Sequence, residues 1–471
     1  MAGEKREHKN IVIIGASIAG HECVNRLVPH LPSHLGIRVL LIDARSFAWW
    51  PITILRAVVV PGWEDKITIP LSTERVFKAD SPHRVIAGNK VLELREGSVV
   101  LERPFEGSEE VPFFRCVIAT GASQTIPTMP GWSQTEKEFI DSLRRSQRKI
   151  ESAKRVVVVG GGAVGVEIAG EIAAHHPHKS VTIVHKDCGL LAPTPPNDVS
   201  IKIQKGGSAE VKSYFSPPTD PRLSVELGKI CDKLGIAVIL NDRVIIPIPT
   251  NSSFDDESKD NEVHPDGHFS TNTDGRVSEG DKVDSESKSI EWDGTFGLQP
   301  SLVTLRLESG KTLQADYVYP GCGVRPNSKL VGEVDEGALD DGLIRVDEYL
   351  KVTSTSHESI FKGQYYAIGD VCSCPGFKLA RTAFVNASKT AGNIISEIKG
   401  KSPSKYSVGA ISHLDLPLGP DEGAGMTNFG WLGTWVFGSK VTTRIRGKTS
   451  GTERFFAGRF RGEKKSEIVF D

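Results

Sequence analysis

Cysteine is scarce in this chain: seven residues in 471, with no regular spacing. No Cys-x-x-Cys and no Cys-x4-Cys occurs, so neither a dithiol relay nor a disulfide framework is supported, and a reducing compartment is expected. The nearest approach is Cys372-Ser-Cys374, whose single intervening residue suits ordinary thiols better than a redox pair. Net charge is lacking too. The 57 Lys and Arg against 59 Asp and Glu leave −2, which argues against the molecule as a nucleic-acid partner. No apolar run reaches the ~18–20 residues of a membrane span. The opening Met1-Ala-Gly-Glu-Lys-Arg-Glu-His-Lys lacks the apolar core of a secretory signal and the character of a presequence, and Gly3 stands one place too late for N-myristoylation. A cytoplasmic protein is therefore expected. No cluster has metal-ligand spacing, and His175-His-Pro-His178 reads as a solvated helix-end group, so no metal is expected.

What is abundant is glycine, and its placement is informative. Gly15-Ala16-Ser17-Ile-Ala-Gly20 follows the apolar run Asn10-Ile-Val-Ile-Ile14, and Gly160-Gly-Gly162-Ala-Val-Gly165 follows Arg155-Val-Val-Val-Val159. Each is a buried strand feeding a tight turn that opens a helix, the arrangement that turns backbone N–H groups toward a pyrophosphate. One such motif is weak evidence. Two, about 145 residues apart, suggest two dinucleotides, a flavin and a nicotinamide. Ser17 departs from glycine at the second position, where its hydroxyl could bond a phosphate oxygen.

The chain is too long for one core, and two or three domains are expected. After Gly20 a helix is expected over residues 21–31, then the strand Ile37–Ile42 ending in Asp43, whose carboxylate can bond ribose hydroxyls. Residues 113–122 read as a buried strand turning at Thr120 and Gly121. The second fingerprint continues into a helix over Val164–His175 and the strand Ser180–Val184. Glu167 lies in that helix's first turn, and His185 and Lys186 follow the strand, where an NAD-selective site usually holds an acid. Lys186 could attract a 2′-phosphate, which leaves NADPH open beside NADH. Residues 251–291 carry twelve acids against four bases with few apolar side chains, the composition of a disordered insertion. Tyr365-Tyr-Ala-Ile-Gly369-Asp370 is a short strand ending in Gly-Asp, with a helix expected from about Leu379 to Lys399. That carboxylate can bond the ribitol of a flavin.

These residues resemble the pyridine nucleotide-disulfide reductase-like superfamily. More closely they resemble its apoptosis-inducing-factor-like branch, the ferroptosis-suppressor type NAD(P)H oxidoreductases with their fungal relatives. The resemblance is carried by Ile42-Asp43-Ala-Arg-Ser-Phe47, Leu55-Arg56-Ala57, Ala119-Thr120-Gly121, Gly160 to Glu171, Gly321-Cys-Gly323-Val-Arg-Pro-Asn327, Ala367-Ile-Gly369-Asp370, Lys378-Leu-Ala380 and Tyr406-Ser-Val-Gly409-Ala410. It implies an α/β fold of two Rossmann-like domains, glutathione-reductase-like. An FAD domain (1–122 and 336–401) would hold an inserted NAD(P)H domain (123–335), followed by a small α+β C-terminal module (402–471). It implies FAD contacts from Gly15, Ala16, Ser17, Gly20, Asp43, Arg56, Val91, Thr120, Gly121, Gly369, Asp370, Lys378 and Leu379. NAD(P)H contacts would come from Gly160, Gly162, Gly165, Glu167, His185, Lys186 and Gly323. Lys378 and Glu167 would stand closest to the chemistry. The implied activity is hydride transfer from NAD(P)H to FAD and electron delivery to a quinone-like acceptor or O2. A tailoring oxidoreductase of secondary metabolism and a redox-sensing signalling flavoprotein are the alternatives. Residues 439–471, with nine Lys and Arg against four acids, interleaved with Phe455, Phe456 and Phe460, are the expected point of weak peripheral membrane contact. A monomer or homodimer is expected.

Overall fold

The computed structural model describes residues 9–124, 128–191, 219–247, 290–321, 324–407, 412–446 and 460. Two parallel sheets dominate, one for each fingerprint. The first has the strand order Tyr365–Ala367, Arg115–Ile118, Lys9–Ile14, Ile37–Asp43, Arg84–Ala87, all parallel. Its strands are apolar along nearly their whole length because helices and an antiparallel ribbon cover the sheet. Helix Ile18–Leu27 packs against helix Ala380–Ile398, and the ribbon is Val91–Leu94, Ser98–Phe105, Ser108–Pro112. The core from Ile11 to Val117 is continued by Val331, Ile344 and Tyr365, so the chain returns to the first domain after crossing the second.

The second sheet runs Ile236–Ile239, Ser180–Val184, Arg155–Val159, Thr312–Pro320, Gly297–Arg306, Ile290–Glu291. Helix Ala163–His175 follows its central strand, and helix Pro221–Lys233 leads into its outermost parallel strand. The chain crosses between domains twice, and the crossings pair: Ala122 opposite Pro326 and Ser123 opposite Arg325. The C-terminal module is the three-stranded antiparallel sheet Ser412–Leu418, Glu422–Asn428, Thr434–Phe437, with helix Ser439–Arg446 against it. The expected α/β class with an α+β module is what is found.

Two expectations shift. The helix after the first fingerprint starts at Ile18, within the motif, and ends at Leu27 because Pro29 lies ahead and cannot continue it; a 3-10 turn, Val28–His30, takes over. The acidic insertion stops short of Glu291. Ile290 and Glu291 pair with Val303 and Thr304, and Glu291 is held by both Nε and Nη2 of Arg306 at 3.0 and 2.9 Å. The rest of that segment, 251–289, lies outside the described residues, as do Gly323 and most of the basic tail. The C-terminal hairpin packs on the second domain. Leu414, Leu416 and Leu418 share a core with Ile168 and Ile172, and a Cβ on Gly170 would lie 2.5 Å from the Leu418 backbone. Glycine is required there for the hairpin to dock.

Candidate active site

The parallel register sets the first cradle. Ala367, Ile118, Ile14 and Ile42 lie side by side at the ends of adjacent strands. The residues that follow them are therefore brought to one edge: Gly369-Asp370, Thr120-Gly121, Gly15 to Gly20, and Asp43. In an open parallel sheet, ligands bind at this carboxyl edge. Gly15 has φ +105 and a Cβ there would lie 2.4 Å from the Ala119 carbonyl oxygen. Gly20 has no room at all, since its Cβ would sit 1.8 Å from the Gly15 oxygen. These two positions let the turn fold flat against the sheet and aim the N-terminus of helix Ile18–Leu27 outward. Ser17 is its N-cap residue and makes no side-chain cap, so the hydroxyl is not spent on its own helix. Asp43 accepts from the Ala16 N–H at 2.7 Å and from the Arg45 N–H at 2.9 Å, which fixes its carboxylate beside the turn.

Across the row, Gly369 takes φ +77 and donates its N–H to Asn386 Oδ1 at 3.3 Å. Burial raises the Asp370 carboxyl, and the Lys378 ammonium opposes it. Lys378 Nζ donates to the Cys372 and Cys374 carbonyl oxygens at 2.5 and 3.1 Å and lies 3.9 Å from the Cys374 sulfur. Leu379 is the N-cap residue of helix Ala380–Ile398, so Lys378 stands at the positive end of that helix. The Cys372 thiol donates to the Gly369 oxygen and the Cys374 thiol to Asn386 Oδ1, each at 3.3 Å, and the neighbouring Cys374 draws the Cys372 thiol below its ordinary value. Val91 opens the ribbon strand Val91–Leu94 and is buried in the first core.

The second cradle repeats the first. Val159, Val184 and Pro320 end adjacent strands, bringing Gly160 to Gly165, His185 and Gly321 together. A Cβ on Gly165 would lie 1.9 Å from the Gly160 oxygen, and Gly162 caps helix Ala163–His175 with no side chain. His185 holds the place that Asp43 holds in the first domain. Where Ala16 donates to Asp43, Gly161 donates to His185 Nδ1 at 3.1 Å. The proton of the neutral ring is then on Nε2, 3.4 Å from Asp187 Oδ2. Burial lowers the His185 imidazole below its usual range and Asp187 pulls it back. Lys186 is exposed, with Nζ 3.5 Å from Asp187 Oδ1. Glu167, expected in the first turn, is half-buried and falls just past it, because helix Ala163–His175 starts one residue earlier than expected and contains no acid in its first turn.

The structure also gives roles to residues to which the sequence reading assigned none. Asn327 clamps the interdomain crossing. Its Nδ2 donates to the Thr120 oxygen at 2.8 Å, its backbone oxygen accepts from Thr120 Oγ1 at 2.8 Å, and its N–H reaches the Gly121 oxygen. Asp187 was adjacent to two selected residues but carried no motif. Arg56, expected at the flavin, gives its guanidinium to Glu171: Nε at 3.0 Å and Nη2 at 2.9 Å to Oε1, with Nη2 also donating to the Gly419 oxygen at 3.2 Å. This pair links the first domain, the second domain and the C-terminal module.

A family model for pyridine nucleotide-disulphide oxidoreductases matches residues 9–206 and 282–388, both fingerprints and the Gly369-Asp370 turn included. The chain belongs to this family. Ferroptosis suppressor protein 1 of Homo sapiens is 23% identical over 427 residues, covering 90% of each chain. The FAD-dependent oxidoreductase FVFD30 of Flammulina velutipes is 23% identical, over 79% of this chain and 90% of the relative. Among solved structures, the sulfide:quinone oxidoreductase of Aquifex aeolicus superposes with a TM-score of 0.60 at 13% identity, over 95% of this chain and 90% of that one. The protein is an oxidoreductase with FAD and NAD(P)H as its cofactors, and is similar to proteins named for ferroptosis suppression and apoptosis induction. The cradles fit such groups: Gly15, Gly20 and Gly165 let each turn lie against its own backbone beside a helix N-terminus, and a Cβ at Gly121 in the first cradle or Gly162 in the second would meet open space. Among the described residues, no helix is long and apolar enough to cross a membrane, and no group of three potential ligands could hold a metal.

Proposed function

We infer that this enzyme is an NAD(P)H:quinone oxidoreductase, with FAD in the first cradle and the nicotinamide nucleotide in the second. FAD, when bound, takes hydride from NAD(P)H and yields the electrons to the acceptor. The observation that carries this reading is a pair of complete cradles in a chain without a Cys-x-x-Cys relay, which leaves direct delivery to a small acceptor. Ser17 and the helix N-terminus behind it bind the flavin pyrophosphate. Asp43, already fixed by two backbone N–H groups, accepts from the adenosine ribose, and Asp370 from the ribitol. Thr120 and Gly121 line the cradle between them. Lys378, at the start of helix Ala380–Ile398, sets a positive charge where the reduced ring gathers negative charge. In the second cradle, Gly160, Gly162 and Gly165 bring the pyrophosphate to helix Ala163–His175, and Glu167 sits toward the nicotinamide.

Stopped-flow mixing tests this. NADH or NADPH is expected to bleach the flavin absorbance, and menadione or a short-chain ubiquinone to restore it at least about tenfold faster than air. A flavin that no quinone reoxidises faster than O2 removes the quinone from the reading. Selection of the nucleotide falls to the second strand end. His185 has no carboxylate to repel a 2′-phosphate and Lys186 offers it a cation, while Asp187 dilutes that charge. Lys186→Glu is expected to lower the NADPH-to-NADH ratio of kcat/KM roughly tenfold, the size of one charge-assisted hydrogen bond. An unchanged ratio would show that Lys186 is not the selector.

A further inference from the structure

The largest apolar exposure in the described chain is concentrated at one hairpin. Trp431 is 92% exposed, Trp435 67% and Leu432 59%. All three lie on the turn and return strand that join Glu422–Asn428 to Thr434–Phe437. The turn is built to hold them out. Phe429 N–H bonds the Gly433 oxygen at 2.9 Å, Gly433 N–H bonds the Gly430 oxygen at 3.0 Å, and Asn428 Oδ1 accepts from the Gly430 N–H at 2.7 Å. Phe429 meets Trp435 edge-on at 5.5 Å, which braces the return strand. A rigid loop that keeps two indoles in water forgoes the free energy of burying them, and such a patch marks an interaction surface.

The next element supplies charge. Helix Ser439–Arg446 packs with Thr442 inward, buried over Gly423, and turns Lys440, Val441 and Arg444 outward. Lys440 and Arg444 form no ion pair among the described residues. Two nearby acids are already paired: Glu422 with Lys233 at 2.6 Å and Glu226 with Lys229 at 3.2 Å. Beyond the helix the sequence stays basic. Indoles that bury a ring while keeping an N–H wet, flanked by unpaired cations, match the boundary of a bilayer with anionic headgroups. Two copies meeting through this face would bring four cations together, which disfavours self-association.

We propose that the Phe429–Trp435 hairpin and the Lys440/Arg444 face of the following helix form a docking surface for an anionic lipid bilayer. This deepens the quinone reading, because it would place the enzyme where a lipid-soluble quinone resides. The two stand or fall separately: turnover with a water-soluble quinone does not need the membrane.

The test is co-sedimentation of the full-length, FAD-loaded protein with phosphatidylcholine vesicles, with and without phosphatidylserine. Wild type is expected to pellet with the anionic vesicles and to lose them at high salt. Trp431→Ser should weaken that binding roughly tenfold, since affinity follows buried apolar area, and Lys440→Glu should weaken it similarly on anionic vesicles only. Turnover of soluble menadione by both variants should match wild type, which also shows that they fold. Failure of wild type to bind anionic vesicles overturns the proposal, as does wild-type binding by Trp431→Ser. A dimer in sedimentation velocity that Trp431→Ser dissociates would equally overturn it, assigning the face to a second copy.

Discussion

Arg56→Met is expected to destabilise the protein by about 3–5 kcal/mol, the cost of leaving a buried carboxylate without its partner. The side chains of Arg56 and Glu171 are 5% and 4% exposed. Arg56 makes three contacts with the Glu171 carboxylate, donates to the Gly419 oxygen, and stacks its guanidinium 5.1 Å from the Trp63 ring centroid. Removing it leaves that carboxylate among the buried Leu55, Val58, Ile168 and Ile172 with the His175 ring, Nδ1 at 3.5 Å from Oε2, a much weaker partner than a guanidinium. A loss of that size is a large share of the 5–15 kcal/mol that ordinarily separates folded from unfolded chains. The double variant Arg56→Met/Glu171→Leu is expected to recover most of the loss, because it removes the unpaired charge as well as the pair. Urea unfolding of the two proteins decides this: if the single variant matches wild type, the pair is not a structural clamp. Flavin content adds a second readout. Retention of bound FAD by the folded double variant would show that Arg56 holds domains together, while its loss at unchanged stability would return Arg56 to the flavin.

The two cradles were legible because their information is local. A run of β-branched residues, a glycine turn and a helix lie within about a dozen positions, and Ser180–Val184 could be placed to the residue. Helix Glu136–Ser152 was also within reach. Thr135 and Glu138 form a reciprocal capping box, the side chain of each bonding the other's backbone N–H, and that spacing is a recognised helix start. What the sequence hid is long-range. Arg56 and Glu171 stand 115 residues apart, Thr120 and Asn327 207 apart, and no periodicity links them. Aromatic richness near the C-terminus pointed to a packed core or a basic tail. The backbone turn at Gly430 and Gly433 puts Trp431 and Trp435 outside instead, and hydrophobicity alone cannot tell a buried indole from one held out. His185 shows the reverse case: selected as a missing acid, it proves to do the acid's structural work, accepting the turn's N–H through an imidazole.

Gly20→Ala and Gly165→Ala add the same methyl group to the same place in two cradles and are expected to have opposite signatures. In both, the new Cβ falls within 2 Å of the first glycine's oxygen, at 1.8 and 1.9 Å. That atom is backbone, fixed by the hydrogen bonds of Gly15 to Ile42 and of Gly160 to Val184, and cannot swing aside. The helix must therefore retreat from the turn, carrying its N–H groups away from the pyrophosphate. Overpacking of this kind costs about 1–3 kcal/mol in cores that can adjust, which is about 5- to 150-fold, and against fixed backbone a loss of nucleotide affinity toward the upper end of that range, roughly a hundredfold, is expected. In Gly20→Ala the loss falls on the flavin, and the purified protein should be colourless. In Gly165→Ala the protein should stay yellow and accept electrons from dithionite, yet fail to be reduced by NADH or NADPH at concentrations that saturate wild type. The cross-comparison removes misfolding as an explanation, since a yellow Gly165→Ala protein has its first domain intact. Equal loss of flavin in both would mean that the second cradle supports the first domain rather than a nucleotide of its own. Retention of flavin by Gly20→Ala would mean that its pyrophosphate does not rest on this helix.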